Sequence, residues 1–321
     1  MHRRPLLTAA LLGIAGRAHG QTAPWPSRPL TLLVPYVAGG PSDVLARAVA
    51  GPLGAAIGQG VVVENRPGGN GAVAAQAALR APADGHTLFI AASGILTVNP
   101  HVMAHLPYDP VRDFAPLTIA IAAPNLLVAH PSFPPNTVAE TIEWLKANPA
   151  RASYGTSGIG SAEHLTMELF AQRTGTQVTH VPYGGGAAAM TDMMAGTTLF
   201  SFLNIATVTT QVQAGALKGI AVSGLQRHPL FPAVPTVAET LPGFEGGSWH
   251  SFVAPAATPE PVLARLNAAL VQCLRLPEVT ARLTGIGFSV VAGSRAEMAA
   301  RVTTELARWK DVVRAAGIRP A

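Results

Sequence analysis

Two stretches of this 321-residue chain carry a pattern suited to holding an anion. Val34-Pro35-Tyr36-Val37-Ala38-Gly39-Gly40 and Val181-Pro182-Tyr183-Gly184-Gly185-Gly186 each close an apolar run and open into glycines. Each then leads into a helix-like segment with an aspartate, Asp43 or Asp192. Glycine lets successive backbone N–H groups converge on one concavity, and the helix that follows adds the positive end of its dipole. Carboxylates and phosphates are the natural guests. A single such corner is also an ordinary tight turn between strand and helix. Two equivalent corners in one chain point to two lobes facing one ligand.

No other constellation offers a competing chemistry of equal strength. Gly155-Thr156-Ser157-Gly158-Ile159 places isoleucine where a hydrolase nucleophile elbow needs its last glycine. Gly158-Ile159-Gly160 lacks the third glycine of a dinucleotide-binding turn. His101 and His105 are four residues apart, but Pro100 and Pro107 bracket them and no thiol or carboxylate completes a metal set, so both read as surface histidines. Cys273 is the single cysteine and falls in the apolar helical pattern of Leu266, Leu270 and Leu274, where a core thiol is expected. These observations predict no catalytic residue, no metal and no cofactor. An exported hydrolase or isomerase with an unrecognised site is the alternative class.

The first residues have the form of an export signal. His2, Arg3 and Arg4 are basic, Leu6 to Ala15 is apolar, and Ala18-His19-Gly20 fits a cleavage site, so residues 1–20 are expected to be removed. Arg3-Arg4 also resembles a twin-arginine signal faintly, with the general secretory route the default. The formal charge of the whole chain is +5, and losing Arg3, Arg4 and Arg17 leaves +2. With no basic cluster interleaved with aromatics, the charge speaks against a nucleic-acid partner.

The elements that must position the corners follow from periodicity. Leu30 to Pro35 reads as a buried strand, and Leu45, Val49, Leu53 and Ile57 then mark one helix face. Strands are expected at Val61 to Asn65 and Thr87 to Ala92, with an alanine-rich helix through Leu79 between them. A second unit begins near Asn125, with strands at Leu126 to Val128, Ser153-Tyr154, Val178 to Pro182, Leu199 to Leu203 and Gly219 to Val222. After Phe244 come a strand over Ser248 to Ala254, a helix start with Thr258 as cap, and amphipathic helices that lack a lobe of their own. Roughly 300 residues favour two domains, and alternating strands and helices predict α/β lobes with mostly parallel sheets.

The ordered phrases along the chain resemble the substrate-binding receptors of tripartite tricarboxylate transporters, the Bug-type periplasmic proteins. Pro26-Ser27-Arg28-Pro29, Gly39-Gly40-Pro41-Ser42-Asp43 and Val63-Glu64-Asn65-Arg66-Pro67-Gly68 carry the likeness. Leu106-Pro107-Tyr108-Asp109-Pro110, Thr179 to Tyr183 and Pro235-Thr236-Val237-Ala238-Glu239 continue it in the same order. The resemblance implies a type II-like two-lobe binding protein, each lobe a mostly parallel sheet flanked by helices, joined by two crossover segments near Ala122 and Gly247. Lobe 1 would comprise residues 21–122 plus 247–321, and lobe 2 residues 123–246. The implied function is capture of a small carboxylate in the interlobe cleft of a periplasmic monomer and delivery to membrane permease subunits; signalling to a membrane sensor is the other outlet.

The same resemblance implies the ligand loops. From the first lobe these are Tyr36, Ala38, Gly39, Gly40 and Asp43, with Ala92, Ser93 and Gly94. From the second they are Thr156, Ser157, Gly158, Gly160, Ser161 and His164, with Tyr183, Gly184, Gly185, Gly186 and Asp192. Glycine N–H groups and the hydroxyls of Ser93, Thr156, Ser157 and Ser161 would donate to carboxylate oxygens. Asp43 and Asp192 could instead stabilise helix starts, and His164 could support its loop. Leu199 and Leu203 stand where the family often has acids, Gly184 where it often has a polar residue, and His250 at an aromatic position. Fewer acids predict a carboxylate ligand without an ammonium group.

Overall fold

The computed structural model describes residues 25–318 and 320; the expected export signal at residues 1–20 lies outside them. The strand β1 (Leu30–Val34) leads through the first glycine corner into α1 (Pro41–Ile57), and β2 (Val61–Asn65) pairs in parallel with β1. There follow α2 (Ala72–Arg80), β3 (Thr87–Ala92), and the short helices α3 (Ser93–Thr97) and α4 (Asn99–Val102). A ten-residue strand, β4 (Phe114–Ala123), then runs through Pro124 into β5 (Asn125–Ala129).

The second region contains α5 (Val138–Ala147), β6 (Ser153–Thr156), α6 (Ala162–Thr174), β7 (Thr179–Pro182) and α7 (Gly186–Met194). It ends with β8 (Phe200–Asn204), α8 (Ile205–Gln213) and β9 (Lys218–Val222). The chain returns as β10 (Ser248–Pro255) and finishes with α9 (Glu260–Leu274), α10 (Pro277–Thr284), β11 (Ser289–Val290) and α11 (Arg295–Ala315).

The first sheet has the order β11-β4-β10-β3-β1-β2, the second β8-β5-β9, and β6 pairs with β7 alone. The first sheet is mixed and the second antiparallel, which corrects the expectation of mostly parallel sheets. β1 pairs in parallel with β2 and β3, but β10 is antiparallel to both β3 and β4, and β5 is antiparallel to β8 and β9. The reason is the crossing itself: an outgoing and a returning strand that lie side by side must run in opposite directions. β4 went unrecognised in the sequence because Pro116 interrupts it, and proline removes a ladder donor. The register shifts at that point, between Phe252 opposite Thr118 and Val253 opposite Pro116.

Alternation assigns the strand residues to two faces. Leu30, Leu32 and Val34 pack with α1 and α9, where Leu45, Val49, Leu263 and Leu266 supply the core. Leu33, with Phe89 and Ala91, faces α2, α3 and α11. The second sheet repeats the scheme, with Leu127 and Ala129 toward Phe170 and Phe200, and Leu126 and Val128 toward Met193 and Val208. Cys273 lies in the first core, as expected. Thr258 does not cap α9; Pro259 occupies that position. The tail does not stop at the first sheet either, because Trp309, Val312 and Val313 of α11 pack against Leu165 of α6 and Val98.

The two crossings touch at Gly247. Its φ is +114°, and a β-carbon there would sit 2.7 Å from the carbonyl oxygen of Ala123 and 2.8 Å from the Pro124 Cα. Only glycine fits where one backbone passes so close to another. Among the described residues, no helix is long and apolar enough to cross a membrane.

Candidate functional site

Between the sheets lies a cleft of about 470 Å³ whose walls come from both. Tyr36, Pro41, Asn70, Ala92, Ser93, Gly94, Ser248 and His250 form the wall on the side of the first sheet. Asn125, Ser157 to Glu163, Gly185, Gly186, Asn204 and Thr207 form the other. The first residues of α1, α6 and α7 line this space, as do Asn204 and Thr207 at the start of α8. Four helix N-termini therefore turn the positive ends of their dipoles toward one volume, although Ser161 and Asn204 already cap one N–H each in α6 and α8. Among the described residues, no lysine or arginine lines it, and Glu163 is its single carboxylate.

Hydroxyl groups complete the donor set. Ser161 caps α6 by accepting the His164 N–H at 3.2 Å, and Ser93 Oγ accepts the Trp249 N–H at 3.4 Å. Each accepting bond leaves the hydroxyl proton available to a ligand oxygen. Burial pushes the Tyr36 phenol up to about 12, so it too remains a protonated donor.

Glu163 is held by its surroundings. Its Oε2 accepts the Ser157 N–H at 2.7 Å, and Oε1 accepts the Asn204 N–H at 3.1 Å. The carboxylate thus ties the 157–161 loop to the end of β8, with its charge directed at backbone donors.

Behind that loop is a buried aromatic stack. His164 Nδ1 accepts the Gly160 N–H at 3.0 Å, and its ring lies 3.8 Å from that of His180 at an interplanar angle of 9°. Burial, reinforced by His180, lowers the His164 pKa to about 3. The ring is neutral at physiological pH, with its proton on Nε2 because Nδ1 accepts. His180 Nε2 bonds Thr156 Oγ1 at 2.6 Å, and Thr156 Oγ1 also meets both backbone polar groups of Gly158. Tyr154 donates to Glu168 Oε1 at 2.6 Å, and burial raises the pKa of both groups.

Of the residues that the sequence singled out, the cleft brings together Tyr36, Ala92, Ser93, Gly94, Ser157, Gly158, Gly160, Ser161, Gly185 and Gly186. Ala38, Gly39, Gly40, Asp43, Thr156, His164, Tyr183, Gly184 and Asp192 do not line it. Asp43 is buried and accepts from Gly39 N, Asn65 Nδ2 and Arg47 Nε at 2.9 to 3.0 Å. The Arg47 hydrogen bond is the main cause of its lowered pKa. Asp192 does not sit in the first turn of its helix, so it cannot complement the dipole there. It accepts the Tyr183 hydroxyl instead. Thr156 and His164 support the loop from behind.

The residues missed were Asn70, Asn125, Ala162, Glu163, Asn204, Thr207 and Ser248; Pro41 and Ile159 fall inside the expected loops, and His250 stood out only as a departure from the family. Asn125 and Asn204 face each other in the β5–β8 register, a pairing that no local motif announces. Asn204 did carry one signal, an asparagine directly before a helix, and it does cap α8. The two leucines at acidic family positions are not cleft residues, since Leu203 is buried in one core and Leu199 packs against the other.

Comparison with known proteins finds a family and similar folds. The family model described as "Tripartite tricarboxylate transporter family receptor" matches residues 45–318. Protein BugT of Bordetella pertussis is 31% identical over 312 residues, covering 97% of this chain and 95% of that protein. Among solved structures, an R. palustris protein with adipate is 37% identical with a TM-score of 0.81, covering 92% of this chain and 100% of that one. MatC from Rhodopseudomonas palustris with bound malate is 31% identical with a TM-score of 0.76, covering 90% of this chain and all of that one.

Proposed function

This chain belongs to the tripartite tricarboxylate transporter receptor family, and from that premise we propose that it captures a small carboxylate in the cleft between two lobes. It is a solute-binding receptor and not an enzyme, with the α/β fold of periplasmic binding proteins. The observation that carries the ligand class is the convergence of four helix N-termini and several hydroxyls on a cleft that, among the described residues, no lysine or arginine lines. Partial charges of this kind suit a carboxylate, because they are already oriented and need no counter-ion to be desolvated with the ligand. The similar structures with adipate and with malate support the same class.

In this reading lobe 1 is residues 21–122 with 247–321, and lobe 2 is 123–246. They close about the adjoining crossings at Pro124 and Gly247, because a ligand that touches both walls favours the closed state. The signal-like residues 1–20 would direct a monomer to the periplasm, where the loaded form meets membrane permease subunits.

Calorimetry of residues 21–321 against malate and the straight-chain diacids from succinate to adipate tests the ligand class, and saturable binding of at least one is expected. Heats no larger than dilution across the whole panel would overturn it.

A further inference from the structure

His250 stands on β10 as the chain re-enters the first sheet, opposite Ala92 on one side and Ile121 on the other. The residue is 5% exposed and lines the cleft. Its Nδ1 lies 2.9 Å from Ser42 Oγ in the first turn of α1, and Ser42 is completely buried.

The direction of this bond follows from counting protons. Among the described residues, the Ser42 hydroxyl has no other hydrogen-bond partner. If Nδ1 carried the proton and donated it, the serine's own proton would be stranded in a place no water reaches, which native structures avoid. The hydroxyl therefore donates to Nδ1, and the ring proton resides on Nε2. Burial lowers the His250 pKa to about 4, so this single neutral tautomer persists at neutral pH.

Nε2–H has no acceptor among the described residues, on a ring that borders the cleft. The N-termini of α6, α7 and α8, together with Ser161, belong to the opposite wall. A ligand with one carboxylate held there would leave this cleft-facing donor to water.

We infer that His250 Nε2–H donates to a second oxygen function of the ligand, a further carboxylate or a hydroxyl, and so sets the preference for such ligands over plain monocarboxylates. The inference rests on the carboxylate reading above. His250 is a specificity residue whose tautomer Ser42 fixes, and Ser42 acts as a positioning residue.

The test compares diacids with monoacids of equal length: succinate with butyrate, glutarate with valerate and adipate with hexanoate, titrated by calorimetry into residues 21–321. At least one diacid should bind about tenfold to a hundredfold more tightly than its monoacid, the range for a hydrogen bond to a charged group. His250→Phe should erase that ratio by weakening the diacid far more than the monoacid. His250→Gln, whose amide reaches the same position, should restore part of it. Should His250→Phe keep the diacid preference, or weaken both acids equally, the residue is structural and the inference fails.

A second measurement does not depend on how well the variants fold. The imidazole ¹⁵N spectrum of the unmutated protein should show His250 protonated at Nε2, with that nitrogen shifted by the diacid and not by the monoacid. Protonation at Nδ1 would overturn the assignment. Absence of all carboxylate binding in the unmutated protein would sink the ligand class itself, a different failure from monoacids and diacids binding alike.

Discussion

The two glycine corners share a sequence phrase, yet the fold uses them in opposite ways. In the first, Tyr36 and Pro41 line the cleft while Gly39 stays outside it with φ +89°. That loop is locked by Asp43, which ties Gly39 to α1 and to Asn65 of β2. In the second, Gly185 and Gly186 line the cleft and the tyrosine is turned aside to bond Asp192. Gly185 has φ 161°, an extended backbone open to any residue. One corner therefore needs glycine for its conformation, whereas the fold around the other leaves open space for a side chain at Gly185. Identical words in a sequence need not mean identical work, because the neighbours that each loop meets are chosen elsewhere in the chain.

The contrast is most exposed to attack at Asp43. Asp43→Ala would strip acceptors from Gly39, Asn65 and Arg47 together, and we expect a loss of about 2–3 kcal/mol in chemical denaturation. The pH dependence has a defined sign. The folded pKa is lowered, chiefly by the Arg47 hydrogen bond. The stabilisation is thus complete above the unfolded value of about 3.9 and is lost as pH falls through the lower folded value. Asp43→Asn should show a shallower decline of melting temperature in acid than the unmutated protein; an identical decline would assign acid sensitivity to other groups.

Gly39→Val should cost about 1–3 kcal/mol through its backbone conformation, since a β-carbon there meets nothing within 4 Å. Molecules that remain folded should still bind ligand. Lost affinity at full stability would reverse the roles drawn for the corners.

Gly185→Val should do the converse. No atom lies within 4 Å of its β-carbon, so stability should change by less than about 0.5 kcal/mol. The added methyls would occupy ligand space and weaken carboxylate binding about tenfold or more. The smallest effect belongs to Tyr183→Phe, which removes the bond to Asp192 at a half-exposed site. It should cost about 1 kcal/mol or less and leave binding unchanged; a clear loss of affinity would bring Tyr183 back into the site.

Much of the cleft was legible because its loops announce themselves. Ser157 to Ser161, Ser93-Gly94 and Gly185-Gly186 lie in turn-rich stretches directly after strands, where backbone donors are exposed by the geometry of the element. Asn125, Asn204 and His250 were not legible as a group. They lie 79 and 46 residues apart in sequence and meet only because β5 pairs with β8 and β10 returns beside β4. Glu163 carried no sequence motif that marked it. Only the folded loop shows that it holds Ser157 and Asn204.

By itself the sequence determined most local elements, since apolar period and turn chemistry act over a few residues: the buried runs, the helix faces and the glycine corners. Tertiary structure alone decided the direction of strands in each sheet, the close passage of the crossings at Gly247 and which side chains border the cleft. These depend on contacts between residues dozens or hundreds of positions apart. Their geometry is fixed when the chain crosses between the sheets and returns, and the periodicity of any one segment holds no record of it.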